Sequence, residues 1–344
     1  MQDRLLFIDG LRGVAASMVV LYHLASRTPA ARFTAYGKLG VAIFFVLSGF
    51  VIAMSIADQR ISMRFLLKFA ARRSIRLDPP YWVSIIAAVA LAVISTHFFG
   101  VSKQFPSLPT IVAHLFYLQD ILGYPAISPI YWTLCLEIQF YLVLILILWS
   151  VQRLKLRIDS PLIQLSLLGL LELSLLEQSG ATHLSHAGLF LPYWFAFSLG
   201  AMCYWTMAGK MRDPLFLLGV ALTLLYLLND RGAWFVTCAA TALIIYTAVR
   251  MRKMSVWLSN ATVQFLGRIS YSLYLFHPFI GWSAMSFAMT KTNVWLAMVA
   301  GVAASLASGW IAYVLVERQS IKLSRHVRMN QRPLDSPVRQ IAAE

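Results

Sequence analysis

Charge is scarce in this chain. Of its 344 residues only 12% are Asp, Glu, Lys or Arg, against about 25% in a soluble domain. Acidic residues are the rarest part: 14 Asp and Glu stand against 29 Lys and Arg. So little charge excludes an ordinary soluble globule, and 59% hydrophobic residues imply an integral membrane protein with several spans. The net charge of +15 does not call for nucleic acid. Multi-span proteins concentrate Lys and Arg on the cytoplasmic side, where anionic lipid headgroups attract them. Cysteine is nearly absent. Cys135, Cys203 and Cys238 all sit in apolar runs, which excludes a disulfide framework. There is no internal repeat and no low-complexity segment. The first apolar segment lacks a small-residue cleavage site after it and reads as a retained span.

What the chain does have is long apolar runs. A bilayer core takes about 20 apolar residues per helix. Segments near 8–26, 38–57, 79–99, 130–150, 160–177, 187–207, 214–229, 232–250, 263–287 and 294–316 meet that length or approach it. The fold class expected is therefore an all-α integral membrane bundle of about ten transmembrane helices. Basic residues set the orientation. With the N-terminus inside, the outer loops hold only Arg27, Arg32, Lys38, Lys103, Arg231 and Lys291, so both termini are expected in the cytoplasm. Residues 1–318 form the expected membrane domain. Residues 319–344 are basic and polar, contain Pro333 and Pro337, and read as a disordered cytoplasmic tail.

A few polar groups interrupt the apolar runs. Arg12 stands near the start of the first span with Asp9 three residues before it, and His23 lies eleven positions further on. That is about 16 Å of helix. An ionisable group inside a span is a functional candidate by default. His23, Glu137 and His277 fall at similar depth on three spans. A shared cavity would let Glu137 orient the His23 imidazole, whose other nitrogen then takes a proton as a general base. A plain interhelical hydrogen bond is the alternative for each histidine. In the loop 58–78, Arg60, Arg64, Lys68, Arg72 and Arg76 recur every four residues. Their row spirals around a helix and fits either an interfacial amphipathic helix on anionic lipid or a phosphate site built of arginine forks. Pro79 and Pro80 are placed at the start of the third span, where a missing N–H does no harm. Gly10, Gly13, Gly37, Gly40 and Gly49 read as helix-packing positions.

Together these motifs resemble the membrane-bound acyltransferase 3 family, the O-acetyltransferases of cell-surface glycans. The matching stretches are Ile8-Asp9-Gly10-Leu11-Arg12-Gly13 with His23, and Phe44-Phe45-Val46-Leu47-Ser48-Gly49-Phe50. They continue with Arg72-Arg73, Arg76, Pro79 and Tyr81, then Tyr131-Trp132-Thr133-Leu134 with Glu137, Phe140 and Tyr141. The last is Ser270-Tyr271-Ser272-Leu273-Tyr274-Leu275 with Gly267 and His277-Pro278. The likeness runs from about residue 5 to 318. It implies a ten-helix fold and transfer of an acyl group, usually acetyl, from acyl-CoA, with no metal. The acceptor it implies is a hydroxyl on an extracytoplasmic glycan such as O-antigen or exopolysaccharide, or on a lipid-linked sugar. It implies that Arg12 and His23 are a functional pair and that Arg72, Arg73 and Arg76 hold the coenzyme phosphates. The setting it implies is the bacterial inner membrane, with membrane lipids and polysaccharide biosynthesis proteins as partners and no nucleic acid. Some relatives carry a further C-terminal hydrolase-like domain, which this sequence is expected to do without.

The expected mechanism places the catalytic residues His23, Glu137 and Arg12 on a path from a cytoplasmic donor site to an outer acceptor. Direct attack of the acceptor on the thioester and a transient acyl-His23 both remain open. Tyr271 or Tyr274 is a candidate oxyanion donor. The rival class is a multi-span transporter or permease for a small polar or acylated metabolite. A scaffold for polysaccharide synthesis is a third, which would leave the buried ionisable groups without a purpose.

Overall fold

The computed structural model describes residues 5–26, 28–56, 59–100 and 105–329. Among the described residues every regular element is helical. In chain order the helices are α1 Leu6–Ala25, α2 Ala31–Thr34, α3 Gly40–Ile56, α4 Met63–Phe99, α5 Leu108–Leu115, α6 Trp132–Arg153 and α7 Pro161–Ser179. They continue with α8 Trp194–Met207, α9 Asp213–Leu225, α10 Gly232–Arg250, α11 Ala261–Phe276, α12 Trp282–Met289, α13 Val294–Ala312 and α14 Arg318–Ser324. Seven helical stretches among the described residues are long and apolar enough to cross a membrane by length and composition. Each of the ten expected segments holds helix, but α8 and α9 are shorter than a usual span.

Close helix contacts are made where a glycine meets the backbone of a neighbouring helix. Gly49 on α3 faces the Phe197 carbonyl of α8, and Gly200 on α8 faces the Val46 carbonyl of α3. A Cβ at either position would come within 1.9 Å of that oxygen. Gly13 on α1 and Gly267 on α11 repeat the arrangement, with a Cβ at Gly267 lying 2.2 Å from the Asp9 carbonyl. Small residues at such crossings let backbones meet, and here they set the spacing of α1, α3, α8 and α11. The packing expectation for Gly10, Gly13, Gly37, Gly40 and Gly49 agrees with the close backbone or side-chain neighbours of all five.

Two boundaries differ from expectation. The basic row and the third span form one helix, α4, which passes through Pro79 and Pro80. Its 37 residues extend about 55 Å, well beyond a hydrocarbon core of about 30 Å. One straight crossing therefore does not account for the whole helix, which runs from the basic row into the apolar stretch without a break. Ser62 caps it, accepting from the Phe65 N–H at 3.2 Å. At the other end of the chain, the helix that begins as α13 continues past residue 318 through a π-helical turn, Tyr313–Glu317, into α14. The part of the expected tail at 330–344 lies outside the described residues.

The segment between α5 and α6 is pinned rather than loose. His114 is fully buried, with Nδ1 2.8 Å from the Thr110 carbonyl and Nε2 accepting from the Ile127 N–H at 3.1 Å. Tyr117 donates to Asp78 on α4 at 2.9 Å, and Ser84 on α4 shares a 2.8 Å bond with Tyr131. These bonds fix Pro129 and Ile130, which wall one side of the site.

Candidate active site

Two cavities flank the α1–α3–α11 junction. The first, about 90 Å³, is lined by Arg12 of α1, Ser48 of α3, Arg73 and Arg76 of α4, Glu137 of α6, and Tyr271 and Tyr274 of α11. Three guanidinium groups here face one carboxylate, so the lining is cationic. Glu137 Oε1 accepts from Ser48 Oγ at 3.0 Å and pairs with Arg73 Nη2 at 3.2 Å. Arg73 also lies over the Tyr141 ring, 4.4 Å from its centroid, and donates to the Tyr141 hydroxyl. Its Nε is buried without an acceptor among the described residues. Arg76 follows Arg73 by three positions, one helical turn, and shares its face.

The second cavity, about 370 Å³, is lined by His23 and by Lys38, Trp132, Tyr193, Asp230, Arg231 and Trp234. The aromatic rings form a connected cluster. Trp132 and Tyr193 are 5.3 Å apart, Tyr193 and Trp234 are 6.0 Å apart, and Phe45 backs both tryptophans. The Trp234 indole N–H is buried without an acceptor among the described residues. Arg231 is held by the carbonyl and the side chain of Gln178 at 2.9 and 3.1 Å.

The two cavities meet at Val41 and Tyr274, which line both. The Tyr274 hydroxyl and Thr133 Oγ1 are 3.0 Å apart, and Thr133 itself donates to the Ile130 carbonyl at 2.8 Å. Thr133 thus receives the Tyr274 proton. Phe44 packs its ring edgewise on Tyr274 at 5.6 Å.

The expected site residues divide accordingly. Arg12, Arg73, Arg76 and Glu137 share the first cavity, while His23 opens on the second. Arg72 does not line the first cavity, because one residue along a helix turns the side chain by about 100°. Glu137 does not orient His23. Its oxygen is held by Arg73 and Ser48, and the partner of His23 is His277, with Nδ1 and Nε2 2.9 Å apart. Neither expected oxyanion donor is free in this conformation: Tyr271 donates to the Leu77 carbonyl at 2.9 Å and Tyr274 to Thr133.

One further group had escaped the sequence reading. Glu317 is buried and accepts from the Ser272 N–H and hydroxyl at 3.2 and 2.6 Å, and its charge acts on Arg12 and Arg76. The signal was a lone carboxylate at the end of the apolar run Val314-Leu315-Val316.

The sequence matches a family profile described as an acyltransferase domain over residues 5–314. It is 27% identical over 306 residues to the O-acetyltransferase OatA of Staphylococcus aureus, covering 78% of this chain and 49% of that protein. It is 26% identical over 351 residues to the peptidoglycan O-acetyltransferase OatA of Listeria monocytogenes, covering 90% of this chain and 54% of that protein. A protein of Komagataeibacter xylinus named as a membrane-bound transacylase, BcsY, is 26% identical over 349 residues, 91% of this chain and 82% of its own length. The chain spans about half the length of the OatA proteins. No solved structure matches it significantly.

Proposed function

The chain belongs to the acyltransferase domain family, whose profile covers nearly all of it, and on that footing we propose that it moves an acetyl group from cytoplasmic acetyl-CoA to a glycan hydroxyl outside the membrane. Family membership makes it an acyltransferase and retires the transporter reading. Its relatives named for O-acetylation and transacylation motivate the glycan acceptor. The setting is a bacterial inner membrane, with about ten spans and both termini on the cytoplasmic side, following the bias of Lys and Arg.

The observation that carries the reading is the contact between the two cavities at Val41 and Tyr274. Arg12 and His23 stand about 16 Å apart along α1, so the cavities lie towards opposite ends of that helix. The arginine cavity is a narrow cationic slot. It suits the slender thiol arm of the coenzyme, with the phosphates at its mouth beside Arg73 and Arg76. The His23 cavity suits a sugar: aromatic faces from Trp132, Tyr193 and Trp234, polar edges from Asp230 and Arg231, and an indole N–H without an acceptor. His23 Nε2 removes the proton of the acceptor hydroxyl as its oxygen attacks the thioester carbonyl carbon. The carbon–sulfur bond breaks, and the His23 imidazolium returns the proton to the departing thiolate.

Purified protein, given radiolabelled acetyl-CoA with peptidoglycan fragments and cello-oligosaccharides as probe acceptors, tests this directly. Wild type should label at least one acceptor. His23→Ala should keep its elution volume in detergent and lose transfer by at least about 100-fold, the size of a general-base contribution. Transfer within tenfold of wild type would remove His23 from the chemistry.

A further inference from the structure

His277 is fully buried directly after α11, and its hydrogen bonds assign protons to both histidines of the pair. Its Nδ1 is 2.8 Å from the Tyr274 carbonyl and 3.1 Å from that of Leu273. A carbonyl only accepts, so this nitrogen carries a hydrogen. The Tyr274 carbonyl is available for a reason written in the sequence. In a regular helix it would accept from the N–H of residue 278, and residue 278 is proline, which has none. The Leu273 carbonyl already takes the backbone N–H of His277.

No carboxylate bonds to His277 among the described residues, and an unpaired cation there would be costly. The ring is therefore neutral, and its Nε2 is a bare acceptor. That nitrogen lies 2.9 Å from His23 Nδ1, so His23 Nδ1 is the donor. The His23 lone pair is left on Nε2. The charged or titratable groups around the pair are Tyr22, Tyr274, Lys38, Asp230 and Arg231.

We propose that His277 is a positioning residue that holds His23 in the one tautomer able to take a proton from the acceptor, and that Pro278 is part of the device because it frees the Tyr274 carbonyl. The proposal rests on the reading of His23 as the base. As His23 takes the acceptor proton on Nε2, its Nδ1–H bond to His277 becomes charge-assisted and strengthens. The bond is thus stronger after proton uptake than before it, which is the direction that assists a base.

Three variants and one spectrum test this in the full-length purified protein. Leu at 277 fills space but accepts no hydrogen bond, whereas Gln places a carbonyl oxygen near the position of Nε2. His277→Leu should lower kcat by at least about 100-fold, in the direction of the roughly 10⁴-fold loss that follows when the tautomer-fixing partner of a hydrolytic triad is removed, with KM for acetyl-CoA unmoved. His277→Gln should recover transfer to within about tenfold of wild type. In Pro278→Ala the restored N–H competes for the Tyr274 carbonyl, and kcat should fall between these two. Nitrogen-15 spectra of histidine-labelled wild type should give His23, identified by its loss in His23→Ala, a protonated Nδ1 and a bare Nε2. A bare Nδ1 on His23, or a His277→Leu enzyme with wild-type kcat, overturns the proposal. Should His277→Leu fail to fold, the wild-type spectrum and the His277→Gln rate still decide. If His23→Ala instead keeps its activity, the base reading falls while the spectrum still judges the tautomer.

Discussion

Arg73 and Glu137 show how much of the site is settled one side chain at a time. They meet at 3.2 Å with about a fifth of each side chain exposed to the cavity. Glu137→Gln would leave the Arg73 charge without its carboxylate. A buried charge stripped of its partner costs about 3–5 kcal/mol, reduced here by the exposure to about 1–3 kcal/mol. Thermal unfolding in detergent should therefore shift down by several degrees. The neighbouring arginines separate more sharply. A charge-assisted hydrogen bond contributes about 1.5–3 kcal/mol, so Arg76→Ala should raise KM for acetyl-CoA by roughly ten- to 100-fold. Arg72→Ala, outside the slot, should leave it within about threefold of wild type. Equal effects at both positions would dissolve the cavity as a donor site. The sequence showed a basic row but not which members of it turn inward. Arg72 and Arg73 differ by about 100° around one helix, and the neighbours of α4 choose between them. The partner of Glu137 was hidden for the same reason: 64 residues separate it from Arg73, a distance no local pattern spans.

Helices here are held close by what is missing from them. Gly49→Val would drive a side chain into the Phe197 carbonyl. Overpacking costs about 1–3 kcal/mol and more where backbone must move, so this variant should lose thermal stability and α3–α8 spacing together. The α5–α6 segment makes a pH-dependent case. Burial holds the His114 imidazole below its ordinary value of 6.5, and its Nε2 can accept from Ile127 only while the ring is neutral. The unfolded chain takes up that proton first. The contribution of His114 is therefore complete above about pH 6.5 and is lost as pH falls from there through its lowered folded value. His114→Leu should melt below wild type at pH 8, and the gap should narrow on acidification below about 6.5. A gap constant from pH 8 to 5 would contradict the neutral ring. Helix positions were legible from apolar runs alone. The unbroken course of α4 through Pro79 and Pro80 was not, since a proline pair reads locally as a helix start.

Across the whole molecule, the proposed transfer depends on the two cavities and the wall they share. Val41 and Tyr274 line both cavities, and Tyr274 is hydrogen-bonded to Thr133 between them. With Tyr274 and Val41 in the shared wall, a short acyl group such as acetyl would fit between the cavities better than a longer chain. Tyr274→Ala should join the cavities and raise the rate with butyryl-CoA relative to acetyl-CoA by at least tenfold, in line with the discrimination one or two methylenes allow. An unchanged ratio would place chain-length selection elsewhere.

Much of this architecture was already present in one dimension. The apolar runs announced an all-helical membrane protein, because hydrophobicity acts on each segment separately, and the order of motifs carried the resemblance to the acyltransferase family. The Arg12–His23 spacing was equally plain, because a single helix fixes it. Which groups touch was a different matter. His23 meets His277, Glu137 meets Arg73, and Glu317 reaches back to Ser272 from the far end of the chain. Those pairings depend on how the helices rotate and how closely their glycines allow them to approach, and such quantities arise only when all the helices pack at once.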